Sequence, residues 1–308
     1  MHMGRMRLAA VAVTSTGIVA AGAGTVFFFQ GSEQTRTVAD MSASQEVGAA
    51  EAGATERYWT PKRMASATPL TGRSAQGARA QAGPTAKAYG GIPTLGALFF
   101  RNGRGDHYCT ASVVHSYSKR LLLTAAHCIH GGKGGGYGRY VAFVPKYDRG
   151  KRPYGTWAAS KLFVDRRWIA QSDPDLDFGY VALKPVRNRR IESVVGANKL
   201  AVNQSPGRWT HVAGYPHIRH DRRDRPIYCN VKTRRHSRFQ LRMDCGGFYG
   251  GTSGSPWLIN YSTRTQRGLI NGVLGGHQGG GNVHYTSYSP YFDKDVYNLR
   301  AAADKASR

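Results

Sequence analysis

The segment LLLTAAHC (residues 121–128) decides the expected fold and chemistry, together with two segments that follow it. It is a short apolar run that ends in a turn of small residues carrying His127. DFGYVAL (residues 177–183) begins with Asp177, and GGTSGSP (residues 250–256) carries Ser253 among glycines. A base, an orienting carboxylate and a hydroxyl nucleophile are the groups that make a weak alcohol attack an acyl carbon. The pattern predicts a serine hydrolase with His127, Asp177 and Ser253 as its catalytic residues.

Neighbouring residues of the same types compete for two of these roles. Asp173 and Asp175 flank a proline and are typical of solvated turn residues, whereas Asp177 precedes an apolar strand that would bury its carboxylate. Ser255 begins the run after the glycine-rich turn, so Ser253 is the favoured nucleophile. Glycines on both sides of Ser253 allow a tight turn that directs N–H groups at one point, as an oxyanion hole requires. The order base, acid, nucleophile disfavours an α/β-hydrolase.

Short apolar runs broken by Gly, Pro and Asn predict an all-β domain from residue 89 onward. The runs with strand length are residues 95–100, 109–114, 121–124, 141–144, 162–164, 180–183, 211–213, 239–243, 256–259 and 268–274. So many strands with little helix indicate barrels or a sandwich. One helix is predicted near the carboxy terminus, with Ser289 as its cap, Pro290 in its first turn, and Phe292, Val296 and Leu299 on one face.

Four cysteines lie in this region, and an even number in an exported protein predicts disulfides. Three pairings are possible, of which the most local joins Cys109 to Cys128 and Cys229 to Cys245. No CxxC pair or Cys/His cluster with ligand spacing occurs in the sequence, so no metal or other cofactor is expected. Cys128 is not expected to be a nucleophile, because a disulfide would consume its thiolate.

The first 88 residues are expected to lie outside the folded domain. Residues 1–30 are interpreted as an export signal or a membrane anchor, since Arg5 and Arg7 precede an uncharged stretch, residues 8–29. Residues 31–88 are rich in Ala, Ser, Thr, Gly and Gln without an apolar period, which predicts a disordered linker or a removable pro-segment. We expect a secreted protein, with a membrane-anchored, extracytoplasmic protein as the alternative.

The chain is strongly basic, with 43 Lys and Arg against 18 Asp and Glu and a net charge of +25. Such a surface favours anionic partners. The densest basic stretch is residues 217–242, where Lys232, Arg234 and Arg238 fit one face of a strand. We interpret it as a solvated hairpin, with recruitment of an anionic polymer or acidic substrate as the alternative. Specific nucleic-acid binding is not expected, because no aromatic stacking motif accompanies the charge.

CTASVV (residues 109–114), LLLTAAHC, DFGYVAL and GGTSGSPW (residues 250–257) together resemble the chymotrypsin-like serine peptidases, in particular their bacterial glutamyl endopeptidase-like branch. The resemblance covers about residues 90–300 and implies a peptidase domain over residues 89–302. It implies two six-stranded antiparallel β-barrels that divide near residues 190–205, with the active site between them and a carboxy-terminal helix packed outside.

The resemblance also implies a role for each catalytic residue. His127 would be the general base and then the general acid, Asp177 would hold its imidazole, and Ser253 would form the acyl-enzyme. The N–H groups of Gly251 and Ser253 would form the oxyanion hole. A monomeric secreted endopeptidase that acts on proteins or peptides is therefore expected. The alternative is a peptidase-fold protein whose basic surface binds polyanions, with catalysis lost or secondary.

The site for the substrate's primary side chain also follows from the resemblance. The predicted pocket residues are Gly247, Phe248, Gly275, His277 and His284. No acid occupies the floor at Gly247, which argues against a preference for Lys or Arg. Glutamyl-specific members use histidine in this region to meet a carboxylate, whereas a solvated loop histidine is the plainer interpretation. Thr252 stands where animal digestive members have an aspartate that pairs with a freed amino terminus, so that activation switch is not expected.

Overall fold

Six strands close an antiparallel barrel in the first half of the molecule. The computed structural model describes residues 41–70, 83–216 and 225–308. The strands are β1 (Ser42–Glu46), β2 (Thr68–Pro69), β3 (Lys87–Ala88), β4 (Leu95–Asn102), β5 (Gly105–Val113), β6 (Leu121–Thr124), β7 (Arg139–Pro145), β8 (Trp157–Asp165) and β9 (Gly179–Leu183). The barrel order is β8, β7, β4, β5, β6, β9, and β9 pairs back with β8. In β4, β6 and β9 nearly every side chain is buried, as expected of strands enclosed in a barrel.

The second half, which we call the second barrel, is built from two sheets that a disulfide joins. The strands are β10 (Lys199–Leu200), β11 (Trp209–Gly214), β12 (Ile227–Lys232), β13 (Arg234–Ser237), β14 (Gln240–Asp244), β15 (Pro256–Ser262), β16 (Arg267–Val273) and β17 (Thr286–Pro290). One sheet has the order β10, β16, β15, β11, β12, β3, and the other has the order β13, β14, β17. Cys229 on β12 is bonded to Cys245, directly after β14, and Cys109 is bonded to Cys128, so the predicted local pairing is confirmed.

The all-β class and the carboxy-terminal helix are confirmed, but the helix begins later than predicted. The helices are α1 (Ala49–Tyr58), α2 (Pro61–Ser66), α3 (Arg166–Gln171), α4 (Ile191–Val195) and α5 (Lys294–Lys305). Asp293 caps α5 by accepting the N–H of Asp295 at 2.8 Å. The prediction that the helix starts at Ser289 and Pro290 is wrong, because both residues belong to β17 and pair with β14. Val296 and Leu299 are buried on the inner face of α5, as predicted.

Residues 41–70 pack against the first barrel, and we call them the N-terminal arm. β1 pairs antiparallel with β8 and widens the barrel sheet. Trp59 is fully buried, and its indole N–H donates to the Tyr140 carbonyl at 2.5 Å. The disordered-linker prediction is wrong for this range and for residues 83–88, where β3 pairs with β12. Trp59 and Met64 bury apolar surface against the barrel, although the polar composition around them predicted disorder. The pro-segment alternative stays a prediction.

Replacing Trp59 by alanine is expected to lower the free energy of unfolding by about 3–5 kcal/mol. The substitution empties a buried site against Phe99 and leaves the Tyr140 carbonyl without its donor. Trp209→Ala is the matched control: this side chain is 65% exposed, so its removal should change stability by less than about 0.5 kcal/mol. Urea unfolding followed by circular dichroism measures both. Equal losses in the two variants would contradict an arm anchored through Trp59.

The amino-terminal prediction falls outside the part of the chain that the structure describes. Residues 1–30, predicted as an export signal or membrane anchor, are not among the described ranges. Within residues 41–70, 83–216 and 225–308, no helix is long and apolar enough to cross a membrane. The predicted division near residues 190–205 coincides with α4 and β10, which connect the strands of the two halves.

Candidate active site

His127 and Asp177 are joined by two hydrogen bonds at one rim of the first barrel. His127 lies in the 3-10 turn Ala126–Cys128 after β6, and Asp177 ends the turn Pro174–Leu176 before β9. Because β6 and β9 pair in the barrel, the two turns lie side by side. Nδ1 of His127 lies 2.7 Å from Oδ2 of Asp177, and the backbone N–H of His127 donates to Oδ1 at 2.9 Å. An ionised carboxylate only accepts, so Nδ1 carries the hydrogen and Nε2 is the basic nitrogen.

The Asp177 carboxylate is buried and is held in its ionised form. Its side chain is 1% exposed. Burial raises the pKa of Asp177, but the charge and hydrogen bonds of His127, with the N–H of Gly276 at 2.8 Å from Oδ2, bring that pKa below its ordinary value of 3.8. Gly275 leaves room for this contact, since a Cβ there would lie 2.9 Å from Oδ2. An anionic acceptor in this position fixes the orientation of the imidazole.

Ser253 lies in a buried loop whose shape depends on two glycines. Its backbone carbonyl accepts the N–H of Thr110 at 2.7 Å. Gly251 and Gly254 have φ angles of 95° and 83°, in the left-handed region. A Cβ on Gly251 would lie 2.5 Å from the ring of Tyr108, and one on Gly254 would collide with the Thr110 carbonyl. Left-handed glycines turn consecutive N–H groups toward one side, which is the conformation that an oxyanion hole needs.

Thr252 and Ser255, the two hydroxyl-bearing residues nearest to Ser253, are buried within the same loop. Thr252 is fully buried, and its hydroxyl donates to the Tyr249 carbonyl at 2.7 Å. Ser255 is also fully buried, and its Oγ fills the space over Gly214. The Ser255 backbone donates to Thr252 at 3.0 Å and accepts from Leu274 at 2.9 Å. Both residues therefore hold the loop in place.

Thr110 connects the two halves of the site, a role that the sequence pattern did not predict. It lies on β5, next to the disulfide-bonded Cys109. Its hydroxyl donates to the Gly251 carbonyl at 3.1 Å and accepts the N–H of Tyr215 at 3.0 Å. Its carbonyl accepts from the hydroxyl of Thr124 at 2.8 Å. One first-barrel residue therefore fixes the loop that carries Ser253, and only its place in CTASVV could have pointed to it.

Gln240 makes a second connection that no sequence signal marked. It is buried on β14, and its amide N–H2 donates to the Pro174 carbonyl at 3.0 Å and to the Asp175 carboxylate at 2.6 Å. Its Oε1 accepts the N–H of His277 at 3.0 Å. Gln240 thus joins the turn that precedes Asp177 to the loop that contacts it. The expectation that Asp175 is solvated is wrong, because its carboxylate is half-buried and bound to Gln240.

The predicted pocket residues separate into three groups. Gly247 and Phe248 lie beside His284: Nδ1 of His284 accepts the Gly247 N–H at 3.0 Å, and the Phe248 N–H donates to the His284 carbonyl at 3.0 Å. The His284 ring stacks on Tyr249 with centroids 4.4 Å apart. Gly275 lies at the Asp177 carboxylate. His277 lies elsewhere, with its ring 4.7 Å from that of His236 and 4.8 Å from that of Tyr288.

The basic stretch does not form one continuous charged face over its described part. Arg219, Arg222 and Arg223 lie outside the described residues. Lys232 ends β12, whereas Arg234 begins β13, so the predicted single-strand face is wrong. Arg234 and Arg242 both pair with the Asp244 carboxylate, which neutralises part of the charge. Lys232 remains exposed, with its ammonium 5.7 Å from the centroid of the exposed Trp209 ring.

The ligating atoms of Cys109, His127 and Cys128 lie within 4.8 Å of one another. The two cysteine sulfurs are bonded to each other, so neither is available as a thiolate. Metal–sulfur bonds in proteins require deprotonated cysteine. This donor set therefore does not fit a metal.

No family model matches the chain. Two solved structures resemble it over most of their length. Protease Anisep from Arthrobacter nicotinovorans has a TM-score of 0.64 and 25% identity, covering 71% of this chain and 99% of that one. The thermostable serine protease AL20, from an extremophilic microorganism, has a TM-score of 0.62 and 28% identity, covering 68% of this chain and 96% of that one.

Two further likenesses are more distant. A Glu endopeptidase structure has a TM-score of 0.57 at 15% identity, covering 73% of this chain and 98% of that one, and shares the fold. An extracellular metalloprotease of Bacillus subtilis (strain 168) is 24% identical over 183 residues, which are 58% of this chain. The chain spans 55% of the length of that curated relative.

Proposed function

Because the chain has the chymotrypsin-like serine protease fold and resembles two proteases of that fold over nearly their whole length, we propose that it is a secreted serine endopeptidase with His127, Asp177 and Ser253 as its triad. The observation that carries the proposal is the 2.7 Å hydrogen bond between His127 and the buried Asp177 carboxylate. Two disulfides support an oxidising compartment, as does the uncharged stretch that follows Arg5 and Arg7.

The reaction proceeds in two acyl-transfer steps. Nε2 of His127 removes the Ser253 hydroxyl proton as Oγ attacks the scissile carbonyl, and the N–H groups of Gly251 and Ser253 stabilise the oxyanion. The imidazolium then protonates the leaving amine, and Asp177 stabilises its charge. Water, deprotonated by His127, attacks the acyl-enzyme, and the imidazolium returns the proton to Oγ of Ser253 as the acid is released. Asp177 remains ionised throughout, in agreement with its lowered pKa.

A fluorophosphonate probe tests this proposal without knowledge of the substrate. The Oγ of an activated serine displaces fluoride from the probe and becomes phosphonylated, so the adduct is expected on the peptide that contains Ser253. Labelling should be unchanged by a metal chelator, because no step needs a metal. An adduct confined to another serine, or no adduct on natively folded protein, would refute the mechanism.

We propose that Gly247, Phe248 and His284 form the floor of the primary pocket. Nδ1 of His284 accepts the Gly247 N–H, so in the neutral ring the hydrogen is on Nε2. A histidine N–H donor suits a side chain that accepts a hydrogen bond, such as glutamate or glutamine. Ala86, 3.4 Å from the Cβ position of Gly247, limits the depth of this pocket. His277 does not belong to it, since its ring lies against His236.

His284→Phe is expected to lower kcat/KM for glutamyl or glutaminyl substrates by about 10- to 100-fold, the worth of a hydrogen bond to a polar or charged group. The phenyl ring can still stack on Tyr249, so substrates with an apolar side chain at the same position should change little. A peptide-library cleavage profile of both proteins measures this. His277→Phe is the matched control and should leave the profile unaltered. An unchanged preference in His284→Phe would remove His284 from the pocket.

A second candidate function is polyanion binding by a groove of about 670 Å³ on the second barrel. Trp209, Lys232 and Arg208 line it, and an exposed aromatic ring beside cations suits an anionic polymer. The triad geometry favours catalysis as the primary function, because polyanion binding does not require a buried His–Asp pair.

Lys232→Ser should elute from heparin at lower salt than Lys62→Ser if the groove binds polyanions. Equal elution of the two variants would dismiss this candidate.

A further inference from the structure

The end of the N-terminal arm lies against the strand that leads into the active site. β2 pairs in parallel with β5, with Thr68 opposite His107 and Pro69 opposite Tyr108. Nδ1 of His107 lies 3.2 Å from the Thr68 carbonyl and 3.3 Å from its hydroxyl. This segment of β5 pairs with β4 on its other side, so both of its edges are occupied. The edge that would otherwise be open to an extended peptide is filled by the chain's own arm.

The arm then leads to a groove that the catalytic histidine also lines. Leu70 lines a groove of about 320 Å³ together with His127, Cys128, Phe100 and Arg104. Tyr108, which pairs with Pro69, contacts the nucleophile loop, since its ring occupies the space next to Gly251. Leu70 and His127 therefore share one groove, and Tyr108, opposite Pro69, lies against the loop that carries Ser253.

That side is where the leaving part of a substrate must pass. In the proposed mechanism, the imidazole of His127 protonates the leaving amine, so the first residue after the scissile bond lies next to this ring. The acyl side chain occupies the opposite side, at Gly247 on the second barrel. A substrate that continues beyond the scissile bond is directed along Cys128 and Tyr108, toward β2 and Leu70.

The outside of β2 is a poor edge for an extended leaving segment to pair with. Proline has no N–H to donate, and Pro69 is half of this two-residue strand. Extended peptides bind sheet edges through main-chain hydrogen bonds. The arm therefore both fills the edge of β5 and presents a poor edge in its place.

Several side-chain contacts fix the arm on the first barrel and so hold β2 against β5. Asp106, next to the paired segment of β5, accepts from the Tyr58 hydroxyl at 2.5 Å and pairs with Arg63 at 2.9 Å. Glu51 accepts the Tyr140 N–H at 2.7 Å. With the buried Trp59, these contacts hold the arm upstream of β2 on the same barrel wall that leads to His127.

We propose that Thr68, Pro69 and Leu70 restrict the leaving side of the cleft, so that they select against substrates with long segments after the scissile bond. The inference rests on the proposed peptidase function. It makes Leu70 a specificity-determining residue for the leaving side, although it lies outside the predicted peptidase domain. Peptides with few residues after the cleaved bond are the preferred substrate class.

Two substrates with the same acyl peptide, taken from a library profile of the wild-type protein, test this inference. One is a methyl ester, whose leaving group is methanol, and the other is a quenched peptide that continues for four residues. Leu70→Ala should raise kcat/KM for the extended peptide about fivefold or more and leave the ester within twofold. Leu70→Trp should lower the value for the extended peptide alone. Lys62→Ala, an exposed change on the same arm, is the control and should alter neither.

Three results would overturn the inference: no change with the extended peptide, an equal change with both substrates, or slower cleavage of the extended peptide by Leu70→Ala. The last would make Leu70 a contact that grips the leaving segment. Thermal unfolding of each variant establishes that the arm remains docked. If neither substrate is turned over and no fluorophosphonate adduct forms, the proposed peptidase function itself fails.

Discussion

Ser253→Ala is expected to lower kcat by about 10⁶-fold, the loss found when the nucleophile of a triad is deleted. Alanine has no oxygen to attack the acyl carbon, so the acyl-enzyme cannot form. KM should change little, since the loop that carries residue 253 is held by backbone hydrogen bonds from Thr110 and to Leu274. Peptide hydrolysis by the purified variant, followed over hours, measures the residual rate.

Ser255→Ala provides the matched control for this variant. Ser255 lies two residues away in the same buried loop, and its hydroxyl has no hydrogen-bond partner among the described residues. Removing that hydroxyl should leave kcat within a few-fold of wild type. If Ser255→Ala abolishes activity and Ser253→Ala does not, the nucleophile has been assigned to the wrong serine.

Asp177→Asn is expected to lower kcat by about 10⁴-fold, or roughly 5 kcal/mol of transition-state stabilisation. Three N–H groups point at the carboxylate: Nδ1–H and the backbone N–H of His127, and the N–H of Gly276. The asparagine amide has one oxygen and one NH2 group. When its oxygen stays at the Oδ1 position and accepts the His127 backbone N–H, its NH2 group stands at the Oδ2 position and opposes Nδ1–H and the Gly276 N–H. Nδ1 then becomes the acceptor and loses its hydrogen, which leaves Nε2 protonated and unable to act as a base.

Asp173→Asn is the control, because Asp173 caps the same turn and asparagine caps equally well. Its activity should stay within a few-fold of wild type. A loss confined to Asp173→Asn would show that the acid had been misassigned.

The lowered pKa of Asp177 also gives stability a defined pH dependence. The folded state binds a proton on this group less readily than the unfolded state, whose pKa is near 3.8. The stabilisation is complete above that value and is lost as pH falls through the lowered folded pKa. Acid unfolding of wild type should therefore be steeper below pH 3.8 than that of Asp177→Asn. Parallel curves would contradict a buried ionised carboxylate.

The candidate catalytic residues could be predicted because each lies in a short segment whose pattern is local. A buried run before His127, one after Asp177 and glycines around Ser253 are visible without tertiary information. The helix start was missed because Ser289–Pro290 is a good local cap signal that pairing with β14 overrides. β12 was missed because its buried residues, Ile227, Cys229 and Val231, alternate with more exposed ones, so no continuous apolar run marks the strand.

The N-terminal arm and the residues that join the barrels required the structure. Trp59 and Met64 are large buried side chains that anchor the arm, and a few apolar residues in a polar stretch are too weak a signal to overturn a composition typical of disorder. Thr110 and Gln240 act through partners more than 60 residues away, such as Gly251 and Pro174. Common polar residues with distant partners leave no periodic trace in a sequence.

The hydrogen bonds of Thr110 make catalytic activity depend on the contact between the two barrels. Its N–H and hydroxyl bind the loop of Ser253, so sliding of the barrels by about 1 Å breaks these bonds while both sheets remain intact. On heating, catalytic turnover should therefore disappear before the far-ultraviolet signature of the strands. The midpoint temperature of thermal inactivation then measures the stability of the contact between the two barrels. The midpoint temperature of strand melting measures the stability of the barrels themselves.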